Sequence, residues 1–315
     1  MSKLMRYVKN EKNVSTVFLL KDILFSSIKY KISFMDYFSF RFYNLEADQR
    51  NEYMGSGAMY EYQLKMNPKK HRIVLSDKIA FLKKFDDFAG RNWATLNMIK
   101  AEAGLADIFL HCASGKIVLK HSRGQAGKEV EVCNTACLNR ESLIEKMERN
   151  NFNLLEMYVL QNDALMNLSP SALNTVRLVT QLHKEEVIII TARLRISINS
   201  KVDNVSAGNI VAPVDKKSGK VIGPGIYADI TKPDEYTHPV TGLQFIGFEI
   251  PFWNECIQLV TQAALRIPEN RSIGWDVAIT NTGPLLIEGN HNWHYLILQM
   301  PDKKGYKKEM LKYMD

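Results

Sequence analysis

Apolar and polar positions recur along this chain with two different periods. From 77 to 88, DKIAFLKKFDDF places apolar residues at 79, 82, 85 and 88, a helical spacing with Asp77 near its start. Residues 142–150 and 252–266 read as further helices. KIVLK at 116–120, FNLLEMYVL at 152–160 and EVIIITARLRISI at 186–198 read as strands, the last long and β-branched. Val14–Ile28 is apolar but interrupted by Lys21 and Asp22. It is too short and too interrupted to span a bilayer, which takes about 18 apolar residues, and it reads as a buried amphipathic helix. Four basic residues precede it, but no small-residue cleavage site follows, so a signal peptide is the weaker reading. Residues 1–75 read as mainly helical, with Phe34, Tyr37, Phe38, Phe40, Phe42 and Tyr43 as packing aromatics. Strands and helices interleave without regular βαβ alternation. The pattern therefore predicts an α+β fold with largely antiparallel sheets.

The most informative stretch is IGWDVAITNTGPLLIEGN at 273–290. It reads as two strands joined by Asn281-Thr282-Gly283. Such a loop pairs Thr280 with Pro284, Ala278 with Leu286 and Asp276 with Glu288, and puts Asn290 on the Glu288 face. Val277, Ile279, Leu285 and Ile287 then form the core face. Opposed carboxylates destabilise a ladder, and a cation between them removes the repulsion. Two carboxylates and an amide carbonyl are hard oxygen ligands, which suits Mg²⁺ bridging to a nucleotide phosphate. The alternative is an edge hairpin with solvated acids, because a one-residue bulge breaks the register.

Length and composition narrow the class without naming it. The 315 residues suffice for one large domain or two to three small ones, and 46% hydrophobic with 24% charged content is ordinary for a globular protein. The net charge of +7 and pI near 9.0 favour an anionic partner: nucleotide, acidic sugar, nucleic acid or anionic membrane surface. Lys303, Lys304, Lys307 and Lys308 read as a solvated tail. Cys112, Cys133, Cys137 and Cys256 do not form a zinc spacing and read as reduced thiols of a cytoplasmic protein.

Phosphate-binding candidates lie between the predicted strands. Lys120 ends a strand, on the face of Val118, before HSRGQAGK at 121–128. Its glycines permit close backbone approach to a polyphosphate, although a surface hairpin is the competing reading and the spacing is not that of a Walker A loop. Lys78 is a second cation. Glu156 lies in a strand that leads to Gln161, Asn162 and Asp163, an extended segment whose backbone can read an adenine.

Taken in order, these pieces resemble the ATP-grasp superfamily: a DK pair opening a helix, a strand ending in Lys before a Gly loop, a Glu-bearing hinge strand, and a terminal Asp…Glu-x-Asn hairpin. DYFSFRFY at 36–43, NTVRLVT at 174–180, ARLRIS at 192–197, VDNVSAG at 202–208 and GWDVAIT…GPLLIEGN at 274–290 are similar to the sugar-transfer-associated ATP-grasp group. That group is found with polysaccharide and capsule biosynthesis genes and is related to α-L-glutamate ligases; the resemblance covers roughly residues 30–300. It implies two α/β subdomains clasping ATP, at 76–160 and 161–315, behind a helical region at 1–75. It also implies ATP and Mg²⁺ as cofactors. Lys78 and Lys120 match the phosphate lysines, Gly124 to Gly127 the loop over the triphosphate, Glu156, Tyr158 and Val159 the adenine hinge, and Asp163 the ribose acid. Asp276, Glu288 and Asn290 match the metal ligands, Arg177 and Arg195 the catalytic cations, and Asp203 and Asn204 an acceptor-facing motif. The sequence departs from the superfamily at His291-Asn292-Trp293-His294, where many members have a Pro-Gly turn. The expected reaction joins a carboxylate, that of a sugar acid, to an amine through an acylphosphate. A kinase on the same fold and a non-catalytic nucleotide-binding protein are the alternatives; nucleic-acid binding rests on the pI alone.

Overall fold

The structure is a computed structural model that describes residues 2–124, 129–200 and 208–314. Gly127, Asp203 and Asn204 lie outside the described residues. The chain opens with five helices: α1 (Ser2–Lys12), α2 (Thr16–Tyr30), α3 (Phe34–Ser39), α4 (Ala47–Glu52) and α5 (Ser56–Met66). Ser15 caps α2 by accepting from the Phe18 N–H, and Ser33 with Asp36 forms a capping box on α3. Tyr37, Phe38 and Phe42 are fully buried in one aromatic core, as the packing reading expects. The expectation for α2 holds only on one face. Leu19, Ile23, Ser26 and Tyr30 are buried, while its other apolar side is open to solvent.

The helix expected at 77–88 is broken into α7 (Lys78–Lys84) and α8 (Asp86–Ala89), after a short α6 (Ile73–Ser76). Phe85, at φ −123 and ψ 31, makes the break and points its ring into the main core. A four-stranded antiparallel sheet follows, built from β1 (Trp93–Thr95), β2 (Lys116–Lys120), β3 (Val130–Asn134) and β4 (Leu154–Met157) in the order β1-β4-β2-β3. Helices α9 (Leu96–Ala101), α10 (Ala103–Leu110) and α11 (Arg140–Arg149) cover its Ile117 and Leu119 face. That leaves Val118 and Lys120 on the other face, as strand alternation predicts.

After α12 (Asp163–Leu168) comes a six-stranded antiparallel sheet in the order β10-β9-β5-β6-β7-β8. Its strands are β5 (Thr175–His183), β6 (Glu186–Ile196), β7 (Ile210–Val214), β8 (Ile226–Tyr227), β9 (Ser272–Thr280) and β10 (Gly283–Asn290). Helix α13 (Trp253–Arg266) packs Val260, Ala263 and Ala264 under the sheet, against Val176, Leu178 and Trp275. The other face is covered by the segment after β10, which includes α14 (Tyr295–Gln299) and ends in α15 (Lys307–Leu311). Arg193 ties this segment down, donating to the Ile297 and Leu298 carbonyls and to Asp302. Lys303, Lys304 and Lys308 are solvated as expected, but the segment that carries them is not a free tail: Lys303 pairs with Asp234 at 2.7 Å, Met310 is fully buried, and Gly305 abuts the Glu52 backbone.

The β9–β10 hairpin corrects one expectation and keeps another. The turn is one residue tighter than expected, pairing Gly283 with Thr280, so Leu285 opposes Ala278 and Leu286 opposes Val277. A bulge at Ile287 then restores the pairing of Glu288 with Asp276, and Asn290 meets Gly274. Two register changes cancel. Leu286 takes the core position expected for Ile287, which turns into the cleft instead.

Candidate active site

The two sheets face each other across a cleft of about 1360 Å³. On one wall β2, β4 and the start of α7 supply Lys120, Glu156 and Lys78; on the other β5, β6, β9 and β10 supply Arg177, Arg195, Asp276, Glu288 and Asn290. Gly124, Tyr158 and Val159 also line it. Asp163 does not: it is exposed in the first turn of α12, its backbone N–H on the Asn281 side chain at the hairpin tip. The ribose-acid expectation for Asp163 thus has no support in its position.

Lys78 is set in place by Asp77. The Asp77 carboxylate accepts from the N–H groups of Ile79 (2.9 Å) and Ala80 (3.2 Å), which caps α7, and also from Ser122 Oγ and Arg123 Nε in the loop after β2. The Lys78 N–H donates to the Ser122 carbonyl and its Nζ to the Gly124 carbonyl. The DK pair therefore fastens the Gly-containing loop to the helix start.

Glu156 differs from its expected place in an adenine hinge. Its side chain is 3% exposed and accepts from Arg91 Nε at 2.7 Å and Lys120 Nζ at 3.0 Å. Burial pushes its carboxyl up, but the Arg91 and Lys120 charges outweigh this and hold it at about 2. Burial pushes the Lys120 ammonium down, and Arg91 adds to this against Glu156. Glu156 is thus the carboxylate that positions Lys120. Arg91 was not foreseen. It also donates to the carbonyls of Ala89, Leu286 and Ile287, so it satisfies the bulged backbone of β10 and links the two walls. Nothing in the local sequence RNWAT marks it, because every partner but Ala89 is far along the chain.

On the opposite wall Asp276 sits between Glu288 and Arg177 in a row across three strands. Arg177 holds Asp276 with Nε and Nη2, the latter at 2.9 Å, and Arg195 Nη1 adds a third bond at 2.8 Å. Burial opposes ionisation of Asp276, yet the two guanidinium charges hold its carboxyl well below the usual range. Glu288 moves the other way: burial and the Asp276 charge push it up against Lys78, Arg177 and Asn290. Asn290 Nδ2 donates to Glu288 Oε1 at 3.2 Å. This donor set fits a hard divalent cation. Glu288 is a carboxyl whose charge is opposed by a neighbouring carboxylate, and a cation there relieves that opposition. Among the described residues no group of three or more His, Cys, Asp and Glu gathers as a metal site, here or elsewhere, so the third oxygen donor of this set is the Asn290 amide. His291 and His294 line the cleft beside the hairpin, both pushed down first by burial. Between them Trp293 is buried and anchors the turn by donating to Ser272 Oγ at 3.1 Å. Met35 and Ser39 of α3 also line the cleft. The four cysteines are free and none lines it.

No curated protein matches the chain by sequence. Among solved structures it is similar to N5-carboxyaminoimidazole synthetase from Staphylococcus aureus complexed with ADP, at 12% identity over 70% of this chain and 46% of that one, with a TM-score of 0.42. It is similar to D-alanyl-alanine synthetase A from Vibrio cholerae at 11% identity over 76% and 64%, TM-score 0.43. The biotin carboxylase–β,γ-ATP complex from Campylobacter jejuni gives 13% identity over 76% and 46%, TM-score 0.46. The chain thus spans about half to two-thirds of these relatives' length, and at these scores the likeness carries no functional argument. The family model for sugar-transfer associated ATP-grasp proteins matches residues 58–314. That match takes in both sheets and every cleft strand, and the protein belongs to the sugar-transfer associated ATP-grasp family.

Proposed function

We propose that this protein is an ATP- and Mg²⁺-dependent ligase that joins a carboxylate, of a sugar acid, to an amine through an acylphosphate, with ADP as product. One observation carries the reading: Lys120 at the end of β2 and Lys78 at the start of α7 on one wall, and a carboxylate–amide–arginine set on the opposite sheet, converge on a single cleft. Lys78 and Lys120 hold the phosphates, Lys120 aimed by Glu156 and Lys78 by the Asp77 cap. Gly124, which lines the cleft, would begin the loop over them. Backbone groups of Tyr158 and Val159 receive the adenine at the end of β4. Mg²⁺ held by Asp276, Glu288 and Asn290 would offset the charge of the phosphate oxygens. Arg177 and Arg195, oriented by Asp276, stabilise charge on the acyl oxygen, an effect worth about a hundredfold to a thousandfold in rate. Asp203 and Asn204 remain candidates for the acceptor side. The mechanism uses no cysteine nucleophile.

The test is release of ADP and phosphate from Mg-ATP, across uronic acids and their nucleotide-sugar forms crossed with amino acids and simple amines. Free phosphate that requires both co-substrates supports the ligase. ADP with a phosphorylated sugar and no free phosphate reassigns the site to a kinase.

A further inference from the structure

Helix α2 is apolar on two sides. Leu19, Ile23, Ser26 and Tyr30 fix it to the N-terminal core. Val17, Phe18, Leu20, Leu24, Phe25 and Ile28, on the opposite side, are between 45 and 75% exposed. Exposed apolar residues scattered singly are ordinary, but six on one helix face form a patch of the kind that marks an interaction site. Charge says what covers it. Lys21 stands inside the patch, one turn from Val17, Leu24 and Phe25. Lys29 stands at its edge, with Nζ 5.3 Å from the Phe25 ring centroid. Residues 1–31 hold seven Lys and Arg against two Asp and Glu, so this segment supplies +5 of the chain's +7. Asp22, one of the two acids, is neutralised by Arg50 at 2.6 Å. Arg6, Lys9, Lys21 and Lys29 are exposed and make no ion pair among the described residues.

A second copy of the chain is a poor occupant, because a two-fold contact on this face brings its positive charge against itself. An anionic lipid surface matches both features: acyl chains accept the phenylalanines and leucines, and headgroup phosphates accept lysines that extend from their apolar stems. We propose that α2 docks the protein onto an anionic membrane surface, lying in the plane of the interface with Phe18, Leu24, Phe25 and Ile28 inserted and Lys21 and Lys29 on lipid phosphates. The proposal is independent of the nucleotide reading. Among the described residues no helix is long and apolar enough to cross a membrane. Helix α3 follows after residues 31–33 and carries Met35, which is exposed and also lines the cleft.

The experiment is co-sedimentation of the full chain with phosphatidylcholine vesicles, with and without phosphatidylglycerol. Partition onto the anionic vesicles is expected to exceed that onto phosphatidylcholine alone by at least about tenfold, and to fall in high salt. Phe18→Glu/Phe25→Glu lowers partition onto anionic vesicles at least about tenfold. Lys21→Glu/Lys29→Glu removes the preference for anionic lipid. All four side chains are exposed, and unchanged circular dichroism verifies that each variant folds. No binding by the wild type, or equal binding by the wild type and both variants, overturns the proposal. So does a wild-type dimer in light scattering that the phenylalanine variant dissociates, without vesicle binding by either; that result gives the face to a second copy.

Discussion

Glu156→Gln removes one charge from a largely buried network on the cleft wall, at almost constant shape. The Glu156 carboxyl sits at about 2 in the folded protein against an ordinary 4.5. At about 1.36 kcal/mol for each pH unit, that difference corresponds to about 3 kcal/mol of stability at neutral pH. Lys120 counts the other way: burial pushes its ammonium down despite Glu156, so keeping it charged offsets part of the gain. The geometry decides for a net stabilising role, because one buried carboxylate accepts from two largely buried cations at 2.7 and 3.0 Å and its loss leaves both uncompensated. Removing one partner of a buried pair costs about 3–5 kcal/mol, in agreement with the first figure. The expected penalty is therefore about 3 kcal/mol at neutral pH. Its pH dependence follows from the depressed folded value: the contribution is complete above 4.5 and disappears as pH falls through about 2. Wild type and variant should converge in acid. Urea unfolding followed by circular dichroism, at neutral pH and in steps downward, measures both effects as a midpoint shift at constant slope. Adding Lys120→Met to Glu156→Gln should recover part of the loss, since no unpaired ammonium remains. A penalty below about 1 kcal/mol at neutral pH, or one that persists undiminished in acid, would refute the network reasoning.

Glu288→Gln is the cleaner probe of the metal assignment: ATP turnover should fall at least about a hundredfold with the unfolding midpoint nearly unchanged, and full activity would remove Glu288 from the site. Asp276→Asn should abolish turnover and also lower stability by about 3 kcal/mol, because Arg177 and Arg195 lose their shared carboxylate; paired activity and denaturation measurements separate the two effects. Asp77→Ala should cost about 1 kcal/mol through loss of the α7 cap and raise KM for ATP more than it lowers kcat, since Lys78 and the loop lose their common anchor. In Gly274→Ala the new Cβ meets Trp293 Cβ at 2.5 Å, so a loss of about 1–3 kcal/mol and an altered near-ultraviolet signal of Trp293 are expected in thermal unfolding and circular dichroism.

Much of this protein is legible in local pattern. KIVLK at 116–120 forms β2 from end to end, because alternation of Ile117 and Leu119 with Val118 and Lys120 leaves a strand one way to bury itself. Asp77 before an apolar periodic run marks the start of α7 because a capping carboxylate acts on N–H groups two and three residues away. Asp276, Glu288 and Asn290 were found by pairing two neighbouring strands, and the pairing survived although the turn and the bulge each moved it by one residue. Covered by α13 on one face and the C-terminal segment on the other, the sheet had to keep Val277 and Leu286 in the core, and only the bulge could also keep Glu288 beside Asp276.

The sequence by itself determined the antiparallel α+β class, the helical N-terminal region and most of the cleft's cations and carboxylates, Arg91 excepted, since each is written in spacings of a few residues. Tertiary structure alone decided their partners. Arg91 reaches Glu156 across 65 residues and the β10 carbonyls across nearly 200, Arg177 reaches Asp276 across 99, and the outer face of α2 is left uncovered. Long-range electrostatic pairing and the choice of which apolar face gets buried depend on how distant elements pack, and no local period of the chain encodes that packing.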